Sequence, residues 1–182
     1  MMSVVRRKTK PSYKRCAFTG NRPEKMPFGM NENDPACVAF KARIRDEIER
    51  LIGQGFAHFI SGGSLGLDLF AAEAVLELRA KYPWILLEMV SPFDAQSAKW
   101  EKEYQMRHDR LFGSADIVTA TSHEYTKGCI FKRNYYLVSN ADLLMVAHNG
   151  QPGGTAKTIE YATLFGVPVK HISPSACLIR TA

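Results

Sequence analysis

The chain holds only four cysteines, Cys16, Cys37, Cys129 and Cys177, and no two of them form a CxxC pair. That spacing argues against a zinc ribbon and a dithiol redox motif. It fits free thiols in a reducing compartment, so the expected location is the cytoplasm. The five histidines show no metal-ligand spacing, and no metal is expected. No apolar run approaches the ~20 residues of a membrane span, so no membrane partner is expected. Nor does the N-terminus hold an apolar run that would serve as the core of a secretory signal. Ser, His and Asp residues occur, but nothing in their spacing assembles a nucleophile–base–acid set, and no carboxylate pair announces itself.

Charge of one sign is also scarce outside the N-terminus. The net charge is +6. Arg6, Arg7, Lys8, Lys10, Lys14 and Arg15 account for all of it, and the rest of the chain balances bases against acids. The basic signal is thus a tail rather than a stripe across a fold. We read residues 1–14 as a flexible basic arm and 15–182 as one domain. A polyanion contact by the arm is the alternative to a solvated tail. At 182 residues the chain is long enough to bury roughly 70% of its unfolded surface.

What the sequence does have is glycine-rich turns after apolar runs. The short apolar runs Cys16–Thr19, Ala57–Ser61, Ile85–Val90, Ile117–Ala120, Leu143–Ala147 and Val167–Ile172 read as strands. Helical periodicity falls between them, over 37–53, 65–80, 97–112, 128–140 and 155–165. In the first, Val38, Ile44, Ile48, Leu51 and Ile52 lie near one face. Alternation of this kind predicts an α/β three-layer sandwich: a Rossmann-like, mostly parallel sheet with helices on both faces. Ligands of such folds bind outside the carboxyl ends of the strands, where strand order reverses.

Three turns supply the candidate site. Gly20 and Arg22 follow the first strand, and a guanidinium there can clamp phosphate. Ser61, Gly62, Gly63, Gly66 and Asp68 follow the second. The glycines allow close approach of a ligand or merely a tight turn, Ser64 suits an N-cap, and Asp68 either complements the helix dipole or meets a ligand hydroxyl or amine. Gly153, Gly154 and Thr155 open the last helix, where a phosphate would sit naturally. These turns are expected to line one pocket. Arg133 and Asn134 are further ligand contacts or helix-surface residues. Glu160 is a solvated helix residue or a catalytic carboxylate, and Trp100 is a core residue or a base-stacking ring. Residues 21–36 form a long turn-rich segment placed to cover a ligand.

These residues resemble a known family. Phe18-Thr19-Gly20-Asn21-Arg22-Pro23-Glu24-Lys25, Ile60-Ser61-Gly62-Gly63 with Gly66 and Asp68, and Ser91-Pro92-Phe93 with Gln96 and Trp100 look like the YpsA-type proteins of the SLOG superfamily. So do Tyr125-Thr126-Lys127-Gly128-Cys129 with Arg133-Asn134, and Gly153-Gly154-Thr155-Ala156 with Thr158 and Tyr161-Ala162. The resemblance covers about residues 15–173. It implies a Rossmann-like sheet and a nucleotide-derived ligand, without a required cofactor and without one particular reaction. Relatives include the DNA-processing protein A domain and the LOG phosphoribohydrolases, whose PGGxGTxxE motif is matched here by Pro152, Gly153, Gly154 and Glu160. Ala156 and Lys157 stand where that motif has Gly and Thr. The expected function is therefore binding or sensing of a nucleotide or another phosphorylated nucleotide derivative. The alternatives are nucleoside monophosphate phosphoribohydrolysis through Glu160 and Arg133, and a DNA-binding or DNA-processing accessory role. Related folds often dimerise, so a homo-oligomer is a further alternative.

Overall fold

The computed structural model describes residues 13–175. The basic arm, apart from its last two residues, and Cys177 lie outside the described residues.

Six strands form one all-parallel sheet. They are β1 (Lys14–Gly20), β2 (Phe56–Ser61), β3 (Leu86–Ser91), β4 (Ile117–Ala120), β5 (Leu143–Ala147) and β6 (Val169–His171), in the spatial order β4-β3-β2-β1-β5-β6. The expected α/β sandwich is thus observed, with every strand pair parallel rather than most. Strands buried on both faces lose the alternating pattern and read as apolar runs, as Cys16-Ala17-Phe18 in β1 shows. The chain steps outward from β1 to β4, then returns to place β5 on the other side of β1. Strand order therefore reverses between β1 and β5, and the connections leaving their carboxyl ends diverge into a crevice.

Three helices cover one face: α1 (Pro35–Gly53), α2 (Leu67–Leu78) and α3 (Lys102–Ser114). Their core joins Phe18, Phe40, Phe59, Leu69 and Leu87. The side chain of Asp34 caps α1 by accepting from the Ala36 N–H at 2.7 Å, and Pro35 fills its first position. Such a cap contributes about 1 kcal/mol. The buried stripe of α1 runs through Cys37, Phe40, Ile44, Ile48, Leu51 and Ile52. Val38, expected on that stripe, is 55% exposed, because Cys37 and Phe40 keep the three-to-four-residue rhythm and Val38 lies about 100° away from it. Helix α2 is buried nearly all round between α1, α3 and the sheet, which explains its weak amphipathicity. The opposite face carries α4 (Cys129–Ser139) and α5 (Gly154–Phe165), with Ala17, Ile60, Val90, Leu144, Val146 and Ala162 in the core beneath them.

Several boundaries differ from the sequence reading: α2 spans Leu67–Leu78 rather than 65–80, and β6 only Val169–His171 rather than Val167–Ile172. Helix α3 starts at Lys102 rather than 97, because residues 97–100 close a turn from the Trp100 N–H to the Ser97 carbonyl at 2.9 Å. The segment 21–36 is not a loose cover. Its turns bury Pro23, Met26 and Phe28 against the α1 side, leaving Asn21, Arg22 and Lys25 toward the crevice.

Candidate functional site

A cleft of about 250 Å³ occupies the reversal point. Thr19, Gly20, Asn21, Arg22 and Lys25 reach it from the end of β1, and Ser64 and Asp68 from the β2–α2 connection. Helix α4 contributes Ile130, Arg133 and Asn134, and the start of α5 contributes Gly153, Gly154 and Thr155. The lining thus carries three cations, Arg22, Lys25 and Arg133, and one carboxylate, Asp68.

The floor is backbone because Gly20 lacks a side chain. A Cβ there would lie 2.8 Å from the Leu67 Cβ and 3.2 Å from the Ala147 carbonyl oxygen. Glycine therefore lets β1, β5 and the first residue of α2 close together. The Asn21 N–H donates to that same Ala147 oxygen at 2.8 Å, and the Asn21 side chain accepts from the Asn149 N–H at 2.8 Å, tying the two diverging loops.

At the opposite wall, α5 begins at Gly154, and its N-cap residue Gly153 brings no side chain to cap it. A Cβ on Gly153 would meet nothing within 4 Å, and one on Gly154 only Asn134 Nδ2 at 3.9 Å. The N–H groups of a first helical turn have no partner within the helix and carry the positive end of its dipole. Here they border an open, cation-lined cleft.

Behind the cleft lies a buried knot. The Arg133 guanidinium donates through Nη1 to the Gly62 carbonyl, through Nη2 to Ser64 Oγ at 3.3 Å, and through Nε to Asn134 Oδ1 at 2.8 Å. Its Nη1 also stands 4.0 Å from Asp68 Oδ2, with both side chains almost wholly buried. The Ser64 N–H points at that same oxygen at 3.4 Å. Burial pushes the Asp68 carboxyl up to about 6, against the pull of Arg133 and the Ser64 amide. Burial likewise lowers the proton affinity of Arg133, which Asp68 partly restores and nearby Arg22 further reduces.

The expected site residues divide sharply. Gly20, Arg22, Asp68, Arg133, Asn134, Gly153, Gly154 and Thr155 meet in the cleft although the chain separates them widely. Ser61, Gly62, Gly63 and Gly66 do not line it. The Ser61 hydroxyl donates to the Asp68 carbonyl at 2.8 Å and accepts from the Gly63 N–H at 3.2 Å. Gly62 lies under Arg133, Gly63 against Phe112 and Met89, and Gly66 against the Asn21 carbonyl. Glycine is required at these positions to admit the protein's own groups. Glu160 also stands outside the cleft. The inward face of α5 is Thr155, Thr158 and Ala162, so Glu160 is exposed and pairs with Lys157 at 2.6 Å. Trp100 packs edge-on to His108 at 5.4 Å beside the α3 core. Lys25 and Ile130 are cleft residues that the reading of the turns left out, although Lys25 was within reach of it, three residues after Arg22. Ser64, expected as an N-cap, lines the cleft instead, and the N-cap position of α2 falls to Gly66 with no side-chain cap. Among the described residues no group of three or more His, Cys, Asp and Glu is placed to hold a metal ion.

Residues 16–165 match the YpsA family model, described as the YspA SLOG family. The chain belongs to that family. Among SLOG relatives it is 27% identical over 163 residues to a UPF0398 protein of Bacillus pumilus, covering 86% of each chain. A UPF0398 protein of Brevibacillus brevis is 27% identical over 146 residues, or 79% of this chain and 77% of the other. The fold also resembles DNA processing protein A of Helicobacter pylori, with a TM-score of 0.59 at 18% identity, covering 87% of this chain and 64% of that one. That structure concerns a single-stranded DNA binding mode. DNA processing protein A of Streptococcus pneumoniae gives a TM-score of 0.61 at 16% identity, covering 87% of this chain and 50% of that one. This chain therefore spans less than two thirds of either neighbour, and the likeness concerns the fold.

Proposed function

We propose that residues 15–182 form one cytoplasmic domain that binds or senses a nucleotide or a nucleotide-derived phosphorylated ligand in the β1–β5 cleft. The observation that carries this reading is the uncapped first turn of α5, which faces Arg22, Lys25 and Arg133 across a backbone floor at the point where strand order reverses. Helix N-terminal amides and guanidinium groups suit the same ligand atom, a phosphate oxygen. The buried cysteines Cys16, Cys37 and Cys129 are unbridged, which fits a reducing compartment. No described helix is long and apolar enough to cross a membrane.

Calorimetry of the full chain against AMP, ADP, ADP-ribose and NAD tests this. Micromolar binding of at least one is expected, and a folded protein that binds none of them refutes the proposal.

A hydrolase is the second reading, and one observation reshapes it. With Glu160 outside the cleft, the carboxylate available to an N-glycosidic bond is Asp68. A buried carboxyl raised to about 6 in a cleft is suited to proton transfer near neutrality. Release of free base from AMP, followed by chromatography and lost in Asp68→Asn, would establish this reading. Single-stranded DNA, the ligand of the Helicobacter pylori neighbour, is the third, and a gel shift that survives removal of residues 1–12 would favour it.

A further inference from the structure

The loops after β3 and β4 hold side chains that the cleft does not use. Phe93 and Tyr125 meet edge to face, with ring centroids 5.4 Å apart and planes at 84°. Tyr125 is 70% exposed. A ring braced by a second ring while most of its surface stays in water offers a face to a planar ligand.

This step is fixed rather than loosely displayed. The Asp94 N–H donates to the His123 carbonyl at 3.3 Å, and the Thr121 N–H and hydroxyl both donate to the Ser91 carbonyl, at 3.0 and 3.2 Å. Farther along the first loop, Gln96 Nε2 donates to the Gly62 carbonyl at 3.1 Å, the oxygen that Arg133 also holds. The second loop runs directly into α4. A turn from the Cys129 N–H to the Thr126 carbonyl, at 3.1 Å, keeps the Tyr125 backbone within about 11 Å of that of Cys129. The next turns of α4 bring Ile130, Arg133 and Asn134 into the cleft. Both loops leave the carboxyl edge of the sheet, as the cleft does. The aromatic step is thus tied to the cleft wall formed by Arg133 and the first turns of α4, directly through the second loop and, through the Gly62 carbonyl that Gln96 and Arg133 share, from the first.

We propose that the Phe93–Tyr125 step is the base-stacking side of the site, so that a ligand anchored by phosphate at α5 lays its aromatic base on Tyr125. The inference rests on the phosphate-binding reading above and deepens it. Every base presents a π face, so stacking selects for the presence of a base more than for its identity. The matching ligand is a base-bearing nucleotide, free or within a single strand, rather than a sugar phosphate.

Titration of the full chain with ADP, GDP, ribose 5-phosphate and a short single-stranded oligonucleotide tests this, with Tyr125→Ala and Tyr125→Phe beside the wild type. ADP and GDP should bind within a few-fold of each other, and ribose 5-phosphate on the order of tenfold or more weaker. Tyr125→Ala should remove that advantage and leave ribose 5-phosphate binding as it was, while Tyr125→Phe keeps it. If the oligonucleotide binds more tightly than ADP with the same loss in Tyr125→Ala, the stacked base belongs to a strand. If it binds more weakly, the base belongs to a free nucleotide. Unchanged ADP affinity in Tyr125→Ala, or ribose 5-phosphate binding as tightly as ADP, overturns the stack and leaves the phosphate reading standing. Failure of ADP and GDP to bind the wild type overturns the stack as well. Failure of the phosphate reading itself would show separately, as ADP affinity insensitive to Gly154→Ala.

Discussion

The chain places Gly62-Gly63 after β2 and Gly153-Gly154 after β5, at the same end of the sheet and ahead of a helix in each case. Around the first pair the protein fills its own space. Arg133 and Gln96 both donate to the Gly62 carbonyl, and Phe112 and Met89 pack against Gly63. Around the second pair there is open cleft. A strand–glycine–glycine–helix pattern therefore occurs in two settings: filled by an internal guanidinium, or left open, which on the proposed function is room for an external anion. Mutations at the two turns should have opposite signatures, the first in stability and the second in binding.

The largest effect belongs to Gly62→Val. The new Cβ would overlap the Arg133 guanidinium and crowd Asp68. Arg133 would have to leave the Gly62 carbonyl and Asp68, and a broken buried pair costs roughly 3–5 kcal/mol. Urea unfolding should show a matching fall in midpoint with the slope unchanged. A wild-type midpoint would mean that Gly62 is open in solution, and the contrast between the turns would collapse.

Next comes the titration of Asp68 in the same knot. Its carboxyl is raised from an ordinary 3.8 to about 6 by burial. Between those two pH values the folded chain binds more protons than the unfolded one, so this group's contribution to stability is full below about pH 4 and is lost as pH rises through 6. The loss is about 3 kcal/mol at most. Glu32, Glu47 and Glu88, held below the ordinary range in the fold, act in the reverse direction. The measurement is accordingly a difference. Asp68→Asn should gain stability relative to wild type as pH goes from 4 to 7. A difference that does not vary with pH would show that Asp68 ionises normally in the fold.

The same contrast marks how far the sequence could be read. All six strands and all five α-helices of the described residues are legible, because burial on both sheet faces writes apolar runs and one-sided burial writes helical stripes. The convergence of Gly20, Gly153 and Gly154 is legible as well, since it follows from strand order and the rule that ligands sit at its reversal. Whether a glycine pair is filled or open is not legible. What fills Gly62 is Arg133, 71 positions away, and no local pattern announces it. The start of α3 was obscured for a related reason. Gln105 reaches back to the carbonyls of Ala98 and Trp100 at 3.0 and 2.9 Å, holding residues 97–100 in a turn although their composition suits a helix.

At the open turn the prediction is nearly silent in stability. Gly154 is the first residue of α5, and its added methyl would meet only Asn134 Nδ2 at 3.9 Å. Gly154→Ala should leave the unfolding midpoint unchanged or raise stability by up to about 1 kcal/mol, as the replacement of glycine in a helix does. On the proposed function it should weaken ADP binding by about tenfold, because the methyl would stand where the proposed phosphate approaches the backbone. A variant that loses stability and keeps affinity would reverse the assignments of the two turns.

The smallest effect is expected at Glu160, and its smallness carries information. Glu160 stands six positions after the last glycine of the α5 turn, where the resemblance to the phosphoribohydrolases places a carboxylate. The helix presents Thr155, Thr158 and Ala162 inward, and Glu160 lies about 200° around the helix from Thr158. Its partner is Lys157, also exposed. An exposed pair three residues apart contributes at most about 0.5 kcal/mol. Glu160→Gln should accordingly shift the unfolding midpoint barely measurably and leave ADP affinity unaltered, while Asp68→Asn changes both. If base release from AMP were found and were abolished in Glu160→Gln, α5 would have to rotate in the ligand complex by about half a turn. That rotation would pull Thr158 from the core and break its 2.8 Å hydrogen bond to the Gly154 carbonyl. It would also take the Glu160 charge out of water and away from Lys157. The helix as packed resists that change, so any hydrolytic activity should trace to Asp68.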